Sequence, residues 1–302
     1  MSKIIVAGIL QQETIVKVDS IPIKHQPVTD IFDSIHTGIG GDAYNEAIAF
    51  KWLGDEVDFF SIIGKYDTPS IVNPPSSEVH LNTDYILPKA SATPATVVFY
   101  DLERNQQIFE DIKNLREIKY DMGLFKQALP GADLVVLANA NFCKPMLHAA
   151  LEAQKKIAVN IRNFKYKTER YNEEYLESAD ILYLSDDNID DDPYDFCKYI
   201  VEKYKTEILI YGMGAAGVLL YSSKLDTYVL YKPVKTNEIV NTVGAGNALF
   251  SCFLHYYNNT GDSTLSIRNA LLFASYKIGF IGTSIGFMTE KQIEDWRELI
   301  WK

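Results

Sequence analysis

Nothing in this chain marks it for a membrane, a nucleic acid or a structural metal. The longest N-terminal apolar run, Ile4 to Leu10, is too short for a signal peptide or a span, and no later stretch approaches about twenty apolar residues. Lys and Arg number 29 against 40 Asp and Glu, a formal charge of -11, and without a basic cluster a nucleic-acid backbone is not an expected partner. Cys143, Cys197 and Cys252 have no metal spacing and cannot all pair, which fits buried thiols in a reducing cytoplasm. The five histidines are too scattered to suggest a zinc site. Linkers rich in Gly/Ser or Pro are missing too, so the 302 residues are expected to form one α/β domain, in the cytoplasm. After the first strand, Gly8-Ile9-Leu10-Gln11-Gln12-Glu13 lacks the glycine fingerprint of a dinucleotide site.

What the chain does have is Asn241-Thr242-Val243-Gly244-Ala245-Gly246-Asn247-Ala248, a turn with almost no side chain that leads into an apolar helix from Leu249 to Leu254. Backbone N–H groups at a helix start are unpaired and, with the positive end of the helix dipole, attract phosphate. Alone, the turn reads equally as an anion site or as tight packing.

Near the N-terminus, Lys3 to Gly8 is a short apolar strand ending in glycine, and Gly40-Gly41-Asp42-Ala43-Tyr44-Asn45 opens a helix. Ala43, Ala47, Phe50 and Leu53 recur at helical spacing, Asp42 is placed to cap, and Gly54 ends the run. Further on, Ile157 to Arg162 and Ala179 to Leu184 read as strands, and Asp190, Asp191 and Asp192 precede a helix that starts at Pro193. Glu207–Tyr211 and Gly217–Ser222 read as a hairpin. Thr14–Val18 with Asp30–Ile35, and Ala95–Tyr100, read as strands without crossover helices.

Taken in order, these segments resemble the ribokinase-like, or PfkB, carbohydrate kinases. The resemblance implies a three-layer α/β/α sandwich with a mostly parallel central sheet. It also implies a small β lid, drawn from about 14–36 and 93–101, that covers the sugar and pairs with a second subunit as a homodimer. By the same resemblance Gln11, Glu13, Gly40, Gly41 and Asn45 bind the sugar, with Glu13 in place of the family's usual Asp. Gly244, Ala245 and Gly246 form the anion hole, and Asn247 stands at the position of the family's general base. Arg162 would clamp phosphate. Ser185 and Asn188 stand at the two defining positions of the family's Asn-x-x-Glu, with Asp186 and Asp187 between them as candidate magnesium ligands. Gly212, Gly214, Gly217 and Asn241 complete the nucleotide side. Gly212 replaces a hydroxyl residue, and Asn241 replaces an Asp that in the family helps hold a monovalent cation, which argues against a potassium requirement.

The function implied is transfer of the γ-phosphoryl of ATP, with Mg2+, to a hydroxymethyl group of a sugar or sugar-like compound. Asparagine cannot act as a base at neutral pH. General base catalysis is worth about a hundred- to ten-thousand-fold, while positioning and electrostatics carry most of a phosphoryl transfer, so Asn247 predicts a slow kinase, with Asp186 or Asp187 as a replacement base or with proton loss through water. Two other readings stand: a non-catalytic binder of sugar or nucleotide acting as sensor or scaffold, and a nucleoside kinase of the same fold.

Overall fold

The structure, a computed structural model, describes residues 2–75, 77–103, 105–161, 164–187 and 189–301. Its strands are β1 (Lys3–Ala7), β2 (Gln11–Lys17), β3 (Ile35–Gly40), β4 (Glu56–Gly64), β5 (Ile86–Ala90), β6 (Ala95–Tyr100), β7 (Gln106–Asp111), β8 (Leu134–Ala138), β9 (Lys156–Ile161), β10 (Ile181–Ser185), β11 (Ile208–Gly212), β12 (Val218–Ser222) and β13 (Thr227–Tyr231). The helices are α1 (Asp42–Trp52), α2 (Met122–Ala128), α3 (Lys144–Glu152), α4 (Glu169–Ser178), α5 (Pro193–Tyr204), α6 (Ala245–Thr260), α7 (Ser263–Lys277) and α8 (Glu290–Ile300).

Nine strands form the central sheet in the order β13-β12-β11-β10-β9-β8-β1-β4-β5, parallel from β11 through β5 and antiparallel only in the last two steps. Parallel strands must be covered on both faces, which explains their unbroken apolar runs. Period-two alternation sends Ile4, Val6, Leu134 and Val136 into a core shared with α1, α6 and α7. The intervening Ile5, Ala7, Val135 and Leu137 enter a second core shared with α2, α3, α4 and α5. Three layers, α/β/α, follow directly. From β1 the chain moves to β4 and β5 on one side, then returns to β8 on the other, so the strand order reverses between β1 and β8. Ligands of open α/β sheets bind at the carboxyl ends of strands at such a switch. Gly8 lies there, where a Cβ would stand 2.6 Å from the Cβ atoms of both Ala138 and Ala43.

A separate four-stranded sheet has the order β3-β2-β6-β7. Its apolar face joins Ile15, Val98 and Tyr100 to Val243, so it packs on the turn before α6. The Gln106 amide of β7 also donates to the Thr242 hydroxyl at 2.5 Å.

Three sequence expectations change in detail. Asp30–Ser34 is not strand: Asp33 takes a φ of 47°, the Ser34 hydroxyl bonds the Phe32 carbonyl, and the chain turns there before β3 begins at Ile35. β2 starts at Gln11, so Gln11 and Glu13 lie within a strand pair rather than past a strand end. Asp42 is the first residue of α1 rather than its cap, which is Gly41 at a φ of 107°. Asp192 does cap α5, accepting from the N–H groups of Tyr194 and Asp195.

Candidate active site

Gly244 caps α6 in the left-handed region at a φ of 81°, a conformation that favours glycine. Upstream, Asn241 is buried and its Oδ1 accepts the N–H of Val243 at 2.7 Å, a side-chain turn that an amide makes as well as an acid. Its Nδ2 has no partner among the described residues. The Ala245 N–H does not point into an open hole, because it donates to the Thr242 carbonyl at 3.2 Å. The amides of Gly246 and Asn247 remain, as the unpaired first turn of any helix must.

On the opposite wall, Gln11 and Glu13 are both 6% exposed and share one face of β2. Gly40 pairs with Gln11 across the sheet, and a Cβ on it would stand 2.9 Å from Glu13 Oε2. A Cβ on Gly41 would stand 2.5 Å from the Ile9 carbonyl oxygen. Asn45, 3% exposed, has a buried Oδ1 without a partner among the described residues. An orphaned amide oxygen costs about 1–3 kcal/mol, a cost that a ligand hydroxyl would remove.

Thr283 joins the two walls. Its hydroxyl donates to Glu13 Oε1 at 2.8 Å and would lie 2.7 Å from a Cβ on Gly40, while its carbonyl oxygen would lie 3.0 Å from a Cβ on Gly244. Beneath it the fully buried Lys277 ammonium donates to the Val243 carbonyl at 2.5 Å. Burial pushes the Lys277 ammonium down to about 8, against the opposing pull of Glu13. Glu13 is in turn pushed up from the usual carboxylate range by burial, an effect that Thr283 and Lys277 partly offset.

Asn247 is turned toward α1. Its Nδ2 donates to Asp42 Oδ1 at 3.2 Å, to the Asp42 carbonyl at 3.3 Å and to Glu46 Oε1 at 3.4 Å. The Asn160 amide of β9 donates to the same Glu46 oxygen at 2.7 Å. Glu46 is wholly buried, and burial pushes its carboxyl up to about 8. Asp186 and Asp187 follow β10, whose Tyr183 phenol feels the charges of Asp187, Asp186, Asp42 and Glu46 together.

The residues expected on the nucleotide side follow β10 and β11. The Tyr183 hydroxyl lies 2.6 Å from where a Cβ on Gly212 would stand, and 2.6 Å from one on Gly246, so this phenol fills the space between the two turns. The Ser185 hydroxyl donates to Asp187 at 2.8 Å. Asp186 is raised by burial and by the neighbouring Asp187 charge. Among the described residues no group of three or more His, Cys, Asp or Glu is placed to hold a metal. Gly214 and Gly217, at φ of 50° and 110°, form the turn between β11 and β12. Arg162 and Asn188 lie outside the described residues.

Thr283, Lys277, Tyr183, Asp42 and Glu46 were not singled out as site residues from the sequence. In the sequence Lys277 lies near the end of an apolar stretch at helical spacing, Leu265 to Ile278, and Thr283 lies in the glycine-containing Ile281 to Gly286, which is the only local sign of either.

The sandwich with its reversed strand order and a glycine turn at a helix start defines a ribokinase-like α/β protein. Residues 1–290 match the model of the pfkB family carbohydrate kinases, and the chain belongs to that family. Deoxyribokinase from Salmonella typhi is 30% identical over 100 residues, which is 33% of this chain and 31% of that protein, so the match spans about a third of the relative's length. The structure of Arabidopsis thaliana ribokinase complexed with ribose and ATP superimposes with a TM-score of 0.75 at 17% identity, over 97% of this chain and 98% of that one. Nucleoside kinase from Methanocaldococcus jannaschii gives 0.74 at 18% identity, over 99% of both chains. No helix among the described residues is long and apolar enough to cross a membrane.

Proposed function

We propose that this protein is an ATP-dependent kinase of a sugar or sugar-like compound, transferring the γ-phosphoryl to a hydroxymethyl group. The observation that carries this reading is Thr283, whose contacts tie Glu13 and Gly40 on one wall to Gly244 on the other. A polyol held by Gln11, Glu13 and Asn45 would thereby lie against the first turn of α6. The amides of Gly246 and Asn247 would receive the phosphoryl oxygens where charge accumulates, and the Tyr183 hydroxyl would add a donor from the sheet. The crowded pair Asp186 and Asp187 suits a magnesium ion held largely through water, which would shield the charge of the phosphates. Against the small sheet, Val243 and Thr242 couple the phosphate turn to the cover that would keep water out.

Asn247 supports a second reading, a family member that binds these ligands without turning them over. The test is a panel of ribose, 2-deoxyribose, fructose and nucleosides, each with ATP and Mg2+, followed by ADP release and by Tm. Sustained ADP release with one acceptor is the expected result. A ligand that raises Tm while no ADP forms would favour the binder, and release with a nucleoside alone would make the protein a nucleoside kinase.

A further inference from the structure

We propose that Asp42, the first residue of α1, is the base that takes the proton of the acceptor hydroxyl, in place of an acid at position 247. This inference rests on the kinase reading above. It starts from a contact: the amide at 247 donates to carboxylate oxygens of both Asp42 and Glu46, which stand one helical turn apart on the same face of α1. Position 247 has lost its acid, and the space beside it holds two.

The two acids are not equivalent. Glu46 is 1% exposed, and its Oε1 already accepts from the Asn160 and Asn247 amides. Burial pushes its carboxyl up to about 8 and leaves it closed to solvent. Asp42 lies a turn nearer the start of α1 and is partly open to solvent. It adjoins Gly41 on the sugar wall, and its charge is felt by Glu13. In the first turn of a helix a carboxylate is also favoured by the dipole. Asn247 then acts through Asp42, because its amide donates to Oδ1 of that residue and holds the oxygen at the helix start, where the phosphoryl group would arrive.

In the step itself, Asp42 takes the hydroxyl proton and the O–H bond breaks. The freed electron pair forms the new bond to the γ-phosphorus, the bond from phosphorus to the bridging oxygen breaks, and ADP leaves with that pair. The neutral Asp42 carboxyl returns its proton to water when the products depart, so ATP and alcohol give ADP, phosphate ester and one proton.

The experiment compares the natural protein, Asp42→Asn and Asp42→Asn/Asn247→Asp, using the most active acceptor among ribose, 2-deoxyribose, fructose and inosine with ATP and Mg2+. Asp42→Asn keeps the shape and the helix start. It is expected to lower kcat by about a hundred- to ten-thousand-fold, while acceptor and ATP still raise Tm as in the natural protein. The double variant returns a carboxylate to the adjoining position and is expected to recover turnover. If Asp42→Asn turns over at the natural rate, the inference falls and the kinase reading stands. Loss of turnover together with loss of the ligand-induced rise in Tm assigns Asp42 to binding and also overturns it. A natural protein silent with every acceptor removes both readings.

Discussion

The ammonium of Lys277 and the carbonyl of Val243 are hydrogen-bonded at 2.5 Å in a place closed to solvent, directly before the glycine that starts α6. Burial disfavours the charged form and brings the ammonium from 10.5 to about 8, with Glu13 resisting. The folded state therefore binds this proton less tightly than the unfolded chain. Below about pH 8 both states hold the proton and the cost of burying it is fully present; between about 8 and 10.5 only the unfolded chain holds it, so stability rises with pH. Tm of the natural protein relative to Lys277→Met is expected to climb through that window. A difference that stays flat would show that Lys277 is not a buried cation.

Tyr183 supplies the next prediction. Burial, followed by the nearby charges of Asp187, Asp186, Asp42 and Glu46, raises its phenol, so it remains a neutral O–H donor at neutral pH. Tyr183→Phe keeps the ring packed against Phe250 and removes only the hydroxyl. One neutral hydrogen bond is worth about 1 kcal/mol, so ADP affinity measured by calorimetry should fall about fivefold while Tm is unchanged. Unaltered affinity would mean that the hydroxyl faces no nucleotide.

The glycines and amides of the site were legible in the sequence because their reasons are local. Gly41, Gly244 and Gly217 take positive φ angles, which favour glycine, and such residues mark turns wherever they stand. Tyr183, Thr283 and Lys277 reach the site from separate elements, and each has an ordinary local reading. Tyr183 continues the buried run of a strand, Lys277 is a basic residue in the last turn of a helix, and Thr283 sits in a loop of small residues. Glu46 was hidden for another reason. All eight residues from Ala43 to Phe50 are buried, so α1 has no solvated stripe to set a buried acid apart. The strand misplaced over Asp30–Ile35 failed where Ile31 and Phe32 imitate a strand pattern, although Phe32 is 95% exposed.

Away from the site, His255 joins three parts of the chain. Its Nδ1 lies 2.6 Å from Asp55 and its Nε2 2.8 Å from Glu290, while the Ser2 N–H donates to the same Asp55 carboxylate. Burial alone would lower the imidazole, but the bonds and charges of Asp55 and Glu290 outweigh it and the net direction is upward from 6.5. The stabilisation is thus complete below pH 6.5 and is lost as pH rises through the higher folded value. His255→Asn leaves the buried Asp55 uncompensated, at a cost of about 3 kcal/mol. Denaturant unfolding should show that deficit on the acid side of neutrality and a smaller one in alkaline buffer. An equal deficit at both would rule out a charged His255.

Gly40→Ala tests the wall proposed for the acceptor without removing any charged group. A Cβ there would stand 2.7 Å from Thr283 Oγ1 and 2.9 Å from Glu13 Oε2, and both side chains are buried and have little room to move aside. Gly40→Ala must therefore break the bond that Thr283 donates to Glu13. That bond is made with or without a ligand, so its loss should lower Tm. The displaced Glu13 carboxylate is also expected to lose a hydrogen bond to the acceptor, worth about 1.5–3 kcal/mol, so acceptor affinity should drop at least about tenfold, with nucleotide affinity little changed. Gly38, two residues earlier on the same strand, has nothing within 4 Å of a Cβ, and Gly38→Ala serves as the control expected to bind like the natural protein. If both variants bind the acceptor normally, the polyol does not lie against Gly40, and the cleft between Glu13 and Gly244 has some other occupant.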